Sequence, residues 1–221
     1  MEKKAVRFVI VLCLLLGIMT SSCVLEFRTR EYKVGDVGPA GGYIFYDCDA
    51  DNDSGNADGL ISSICGWRYL EVAPSDTGKL SYGYFRPDGA SNVLTSASNT
   101  ALGSGQANTK ALVTSMGEAT YTTTSSMQDK TAYAAKSCTD FSVQVGNKTY
   151  KDWFLPSKDE LNALYVFAAE FGLLDEFSNY DYWSSSEQYM AQSWLQNFNT
   201  GNQYLYDKAD INCVRAIRAF M

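Results

Sequence analysis

An extended apolar run and a helical pattern meet in the middle of the chain. Residues 153–155 are consecutive apolar side chains, and apolar residues then recur every three or four positions along residues 158–171. The first pattern is typical of a buried extended segment, and the second of an amphipathic helix that packs on a core. Ser157 and Glu160 have the spacing of a capping box, and Gly172 is a good helix end. We therefore predict that this stretch is scaffold and not a catalytic motif.

Similar patterns predict two more helices and several strands. Helices are predicted at residues 105–117, which end in a glycine, and at the alanine-rich residues 129–141, which begin at a candidate N-cap, Asp129. Strands are predicted at residues 43–46 and 67–73, and a short hairpin at residues 142–150. Residues 75–104 are rich in Ser, Gly, Asn and Thr, so long loops are expected there.

The C-terminal residues consist of short β-like runs separated by polar turns. These runs cover residues 182–188, 192–198, 202–208 and 213–220. Short runs with tight connections are typical of an antiparallel sheet, whose side chains alternate between two faces. Trp183, Trp194 and Phe198 are expected to face the core. Helices packed on small antiparallel sheets make the predicted fold class α+β.

Charge and missing residue types exclude several functions. Acidic residues outnumber basic ones by 25 to 18, for a net charge of −7, so nucleic acid is not an expected partner. The chain contains no histidine, which excludes Ser-His-Asp triads and histidine-ligated zinc. Carboxylate catalysis, by Asp152 with Asp159 or by Glu187 with Asp207, is the remaining enzymatic alternative, but no recognised spacing joins these groups. We therefore expect no enzymatic activity.

The N-terminus has the pattern of an export signal. Basic residues precede an apolar run at residues 8–19, and small residues precede Cys23. A transmembrane anchor is the alternative, but this run is shorter than the roughly 20 residues that span a bilayer. Cys23 resembles the cysteine of a bacterial lipobox, so we predict that it is lipidated and anchors the protein at the outer membrane or cell surface. The predicted organisation is a signal peptide at 1–22, a tether at 23–34 and one domain at 35–221.

Four cysteines remain after the signal and the lipidation site, and disulfides are the natural use of an even number in an exported chain. They are Cys48, Cys65, Cys138 and Cys213. Four cysteines permit three connectivities, and we favour Cys48 with Cys65 and Cys138 with Cys213. A zinc site is the rival, but no two of them have C-x-x-C spacing.

An acidic insert between the first two predicted strands is similar to a calcium loop. Asp47, Asp49 and Asp51 alternate, and Asp58 is the twelfth residue counted from Asp47. The sixth position lacks the usual Gly, and the twelfth lacks the usual Glu. We favour the alternative of a solvated acidic loop tied at its ends by a disulfide. No other cofactor is expected.

The order of several blocks resembles a known family. The blocks are "GPAGGYIFYD", "GWRYLEVAP", "NTKALV", "YAAKSC", "DWFLPSKDEL", "YWSSSE" and "VRAIRAF". They are similar to bacterial lectin-like domains named for the C-terminal domain of a collagen-like adhesin (Lcl-type), which are related in fold to formylglycine-generating enzymes. The resemblance covers about residues 35–220.

The resemblance implies a C-type-lectin-like fold and supports the pairing of Cys138 with Cys213. The enzyme branch of that fold works through cysteines and copper, and no matching reactive pair is present, so oxidase activity is not expected. Related lipoproteins include variable proteins whose diversified C-terminal residues face the ligand. Fold likeness does not decide function.

The leading functional hypothesis is a surface-exposed binding module. Its predicted ligand contacts are polar and aromatic: Ser186, Glu187, Tyr189, Gln192, Gln196, Asn197, Asn199, Asn202, Gln203, Tyr204 and Tyr206. Amide and hydroxyl donors beside aromatic rings suit a protein or a neutral glycan, whereas the acidic charge disfavours sulfated polysaccharides. Two alternatives are that these are ordinary sheet and turn residues, and that the protein is a structural lipoprotein of the envelope.

Overall fold

The computed structural model describes residues 31–50, 66–83, 94–116, 132–177 and 181–221. The chain divides into a short unit, Met1–Glu31, and a main unit, Tyr32–Met221. Of the short unit only Glu31 is described, so the predicted signal peptide and Cys23 lie outside the described residues. Tyr32 packs edge-on against Tyr69 and Phe220, which places the last residues of the predicted tether in the main unit. Within the described ranges, no helix is long and apolar enough to cross a membrane.

The helices of the described chain lie where the sequence predicts them. They are α1 (Gly105–Met116), α2 (Ala134–Asp140) and α3 (Lys158–Glu170), followed by a 3-10 turn at Leu174–Glu176. Helix α2 begins after Tyr133 without a side-chain cap. The predicted cap at Asp129 lies outside the described residues.

Ten strands form three small sheets in the described chain. The strands are β1 (Ile44–Asp47), β2 (Tyr69–Val72), β3 (Gly78–Ser81), β4 (Val143–Val145), β5 (Lys148–Tyr150), β6 (Asp181–Glu187), β7 (Gln192–Asn197), β8 (Gln203–Asp207), β9 (Ile211–Val214) and β10 (Ile217–Phe220). Their orders are β1-β2-β10, β3-β9-β6-β7-β8 and the β4-β5 hairpin. Helices packed on small, mainly antiparallel sheets agree with the predicted α+β class.

Two predictions for the strands are wrong. Strand β3 lies within the segment predicted to be loops, where it pairs with β9. The run predicted at residues 213–220 is two strands, β9 and β10, which belong to different sheets, and β9 pairs with β6 in parallel. The break falls at Arg215, whose guanidinium binds the carboxylate of Asp76 and the carbonyl oxygens of Ala73 (3.0 Å) and Glu176 (3.2 Å).

The predicted scaffold at the start of α3 is confirmed. The hydroxyl oxygen of Ser157 accepts from the backbone N–H of Glu160 (3.2 Å), and Glu160 Oε2 accepts from the backbone N–H of Ser157 (2.7 Å), so both halves of the capping box are present. The extended residues 153–155 are buried, as are Leu161, Leu164 and Ala168 on the inner side of the helix. Phe167 is also buried, whereas Phe171 at the end of the helix is exposed.

The capping residue Glu160 should make stability depend on pH. Its side chain is fully buried, and burial raises its pKa from 4.5 to about 7, although backbone donors from Ser157 and Gly103 act in the opposite direction. A raised folded-state pKa means that the contribution to stability is complete below 4.5 and is lost as pH rises through about 7.

Glu160→Gln isolates this contribution. Relative to that variant, the free energy of unfolding of the wild-type protein should fall by on the order of 2–3 kcal/mol between about pH 4 and pH 8. Urea unfolding across this range measures the difference. Parallel pH profiles for the two proteins would show that Glu160 does not titrate in this way.

The predicted disulfide between Cys138 and Cys213 is absent from the structure, because Cys138 is a free thiol. Burial raises its pKa. Cys138 in α2 packs with Val214 of β9 in the core around Trp183. Cys213 precedes Val214 in β9, so its side chain points to the opposite face and packs in the core around Tyr182. Cys48 is buried. Its predicted partner, Cys65, lies outside the described residues.

Candidate functional site

The strand register assigns the predicted ligand residues of β7 and β8 to the two faces of the β6-β7-β8 sheet. Trp183 lies opposite Leu195, which lies opposite Tyr204, and Ser193 lies opposite Tyr206. These side chains share one face, called here the tyrosine face. The other face, called here the helix face, carries Tyr182, Trp194, Gln196, Gln203 and Leu205. Trp194 and Tyr206 therefore do not belong to one surface.

Helix α3 covers much of the helix face. The side-chain amide of Gln196 donates to Asn162 Oδ1 (3.0 Å), and that of Gln203 donates to the carbonyl oxygen of Lys158 (2.8 Å). The Lys158 ammonium lies 4.5 Å from the ring centroid of Trp194, whose indole N–H donates to Gln188 Oε1 (3.3 Å). Trp194 is half-buried, so its predicted place in the core is only partly correct.

The three serines that follow Trp183 are structural, and the prediction of Ser186 as a ligand contact is wrong. Ser184, Ser185 and Ser186 are all 0% exposed. The Ser186 hydroxyl donates to the carbonyl oxygen of Asn99 (2.8 Å) and accepts from the backbone N–H of Lys158 (3.0 Å). It therefore joins the loop before α1 to the start of α3.

Glu187 is also buried, and it forms an ion pair that the sequence analysis missed. Its carboxylate accepts from the ammonium of Lys208 at 2.9 Å, and both side chains are 0% exposed. The backbone N–H (3.0 Å) and the hydroxyl of Thr95 also donate to this carboxylate. The ring centroid of Tyr82 lies 5.4 Å from Lys208 Nζ. The pair joins the end of β6 to the residue that follows β8.

Exposed side chains converge beside this pair. Tyr189 and Met190 in the β6–β7 turn are 56% and 55% exposed, and Tyr206 is 41% exposed. The backbone N–H of Lys208 donates to the carbonyl oxygen of Ala191 (2.9 Å), which holds the end of β8 beside the turn. The tip patch is defined here as Gln188, Tyr189, Met190, Tyr206 and Asp207.

The remaining predicted contacts lie outside this patch, along β7, β8 and the turn between them. Gln196 is fully buried, Gln192, Asn197, Gln203 and Tyr204 are half-buried, and Asn199 and Asn202 are exposed. The last two lie in the β7–β8 turn, at the opposite end of β8 from Tyr206. The Asn197 side-chain oxygen accepts from the backbone N–H groups of Asn199 (3.0 Å) and Thr200 (2.8 Å), so it shapes the turn.

Tyr204 links the tyrosine face to the core. Burial raises its pKa to about 12, and a hydrogen bond with Asp181 acts in the same direction. Its ring lies edge-on to that of Tyr206, with centroids 6.1 Å apart. Side chains alternate between faces along a strand, so Tyr204, Tyr206 and Lys208 are expected on one face. This part of the site could therefore have been predicted from the sequence.

The tip patch combines side chains of several chemical types. It offers two phenol rings, a thioether, an amide and a carboxylate on one exposed end of a sheet. Aromatic rings give large contact area with few rotatable bonds, and thioethers adapt to irregular surfaces. Of the carboxylates named as an enzymatic alternative, Glu187 and Asp207 lie on opposite faces, and Asp152 is paired with Arg218. The absence of catalysis stays a prediction.

Two of the predicted calcium ligands have a protein partner. The guanidinium Nε of Arg68 lies 3.0 Å from Asp47 Oδ1 and 3.2 Å from Asp49 Oδ2. Asp51 and Asp58 lie outside the described residues. Among the residues that the structure describes, no group of three or more metal-ligating side chains is present. The calcium site therefore stays a prediction.

No protein-family model matches the chain, and a search of the curated proteins finds no match. The resemblance to the lectin-like family also stays a prediction.

Proposed function

We propose that this chain is an exported lipoprotein whose C-type-lectin-like domain binds a protein or glycan ligand through the tip patch, without catalysis. The exposure of Tyr189, Met190 and Tyr206 at one end of the five-stranded sheet carries the proposal. Aromatic anchors surrounded by polar groups are typical of recognition surfaces. The export signal and Cys23 support a site at the outer membrane or cell surface.

The framework below the patch supports a binding role because it holds the exposed rings in place. The buried ion pair of Glu187 and Lys208 fixes the two chain segments that carry the patch. Binding costs less when the contact residues are ordered beforehand. The α+β body with helices on small sheets is compatible with the proposed C-type-lectin-like fold.

A double variant, Tyr189→Ala with Tyr206→Ala, tests the patch. Loss of two aromatic anchors should weaken ligand binding by about tenfold or more. The measurement is binding of the purified protein to glycan and protein arrays, with the hits repeated in solution. Both residues are exposed, so the variant should unfold at the temperature of the wild-type protein.

Phe171→Ala is a matched control, because Phe171 is an exposed aromatic residue at the far end of α3. The control should bind as the wild-type protein does. Equal binding by the double variant and the control would remove the tip patch as the site. A variant with Trp194 replaced is not used, because Trp194 lies on the helix face.

A further inference from the structure

Strand β8 is an edge strand in the described part of the chain. There it pairs with β7 on one side and with no strand on the other. Backbone donors and acceptors along an unpaired edge form a template for another strand.

The direction of the free backbone groups follows from the ladder between β7 and β8. The backbone N–H of Asn197 donates to the carbonyl oxygen of Asn202, and that of Lys208 donates to the carbonyl oxygen of Ala191, both at 2.9 Å. The backbone groups of even-numbered residues in β8 therefore point toward β7. Because the bonding direction alternates along an antiparallel strand, the odd-numbered residues of β8 point their N–H groups away from the sheet.

The other edges of the two larger sheets are covered or protected. Ile44 in β1 bonds through both backbone groups to residues 35–36, and Ile217 in β10 exchanges two backbone bonds with Phe154. Strand β3 carries Lys79 and lies beside α2, where Thr77 Oγ1 is 2.9 Å from Ser137 Oγ. Strand β8 differs from all three, because no described segment pairs with its outer side and its sequence has no lysine, proline or glycine to protect it.

The charges beside this edge select a partner. Asp207 and Asp210 are exposed at the end of β8. Strands β7 and β8 carry no basic residue, the ammonium of Lys208 is buried, and that of Lys158 lies over the ring of Trp194 on the helix face. An approaching chain with lysine or arginine side chains gains attraction here, whereas an acidic chain is repelled. The same acidic residues disfavour edge-to-edge pairing of two copies of this protein.

We propose that β8 binds an extended, basic segment of a partner protein as an additional strand. This inference rests on the proposed binding role and names the ligand class. Backbone hydrogen bonds to Leu205 and the other odd-numbered residues of β8 supply affinity. The side chains of Tyr206 and Asp207 contact alternate side chains of the segment and supply specificity.

The test uses the purified full chain and an array of short linear peptides in which every second residue is lysine, with a matched array that has glutamate instead. The wild-type protein should bind the lysine array. Leu205→Pro removes one outward N–H without removing a bond to β7, so proline is tolerated at this edge position. It should weaken binding by about tenfold, while Leu205→Ala, which keeps the N–H, should stay within about threefold.

A second arm leaves the protein unchanged. Methylation of alternate backbone nitrogens in a bound peptide should abolish binding in one register and spare it in the other. Equal binding by Leu205→Pro and Leu205→Ala, equal binding of both methylated peptides, or no binding of the lysine array would overturn the proposal. If the ligand found is a glycan whose binding requires Tyr189 and Tyr206 but is unchanged in Leu205→Pro, the proposed binding function is supported. The proposal that β8 binds a peptide strand is then rejected.

Discussion

Replacing Lys208 with methionine should lower the free energy of unfolding by about 3–5 kcal/mol. The ammonium lies 2.9 Å from the Glu187 carboxylate, and both side chains are 0% exposed. Burial lowers the pKa of Lys208, and the hydrogen bond to Glu187 acts in the opposite direction. Methionine fills a similar volume, so the main change is an unpaired carboxylate left inside the protein, which is costly. Urea unfolding at neutral pH measures the loss.

The double variant, Lys208→Met with Glu187→Gln, separates charge from packing. It should recover a large part of the lost stability, because no uncompensated charge remains and the glutamine can still accept from Thr95. Lys110→Met is the matched control, since Lys110 is exposed, and it should change stability by less than about 0.5 kcal/mol. If Lys208→Met were as stable as this control, the buried pair would not hold the end of the sheet.

The scaffold was predictable where its determinants are local. Ser157 and Glu160 are three residues apart, and their side chains bond within one turn, so the sequence alone places the start of α3. The hairpin predicted at residues 142–150 turns at Gly146, whose φ of 58° is the left-handed conformation that glycine favours. Such features need no knowledge of distant chain segments.

The site was harder to predict because distant segments decide its burial. Ser186 is polar and lies two residues before the exposed β6–β7 turn, but its hydroxyl bonds to Asn99, which is 87 residues away. Glu187 and Lys208 are charged, and such residues are almost never fully buried unless paired. Their pairing depends on β7 lying between β6 and β8, which no local pattern specifies. No local pattern therefore predicts the burial of these side chains.

Replacing Arg218 with methionine should also lower the free energy of unfolding by about 3–5 kcal/mol. Arg218 lies in β10, within the β1-β2-β10 sheet that joins the two ends of the main unit. Its guanidinium donates to Glu71 Oε2 (2.9 Å) and bidentately to Asp152 (3.0 and 2.7 Å). Glu71 is fully buried and also accepts from the backbone N–H groups of Ala40 (2.9 Å) and Gly42 (3.1 Å). Burial raises the pKa of Glu71 even though Arg218 lowers it.

Asp152→Asn and Arg218→Lys complete the series and show which carboxylate matters. The side chain of Asp152 is 46% exposed, so losing its charge should cost less than about 1 kcal/mol, because water solvates what remains. Arg218→Lys keeps a positive charge near Glu71, but an ammonium cannot bind both carboxylates as the planar guanidinium does. Its loss of unfolding free energy should therefore lie between those of Asp152→Asn and Arg218→Met. Urea unfolding of the three variants should give this order. If Asp152→Asn is as damaging as Arg218→Met, then the exposed pair, and not the compensation of buried Glu71, stabilises this sheet.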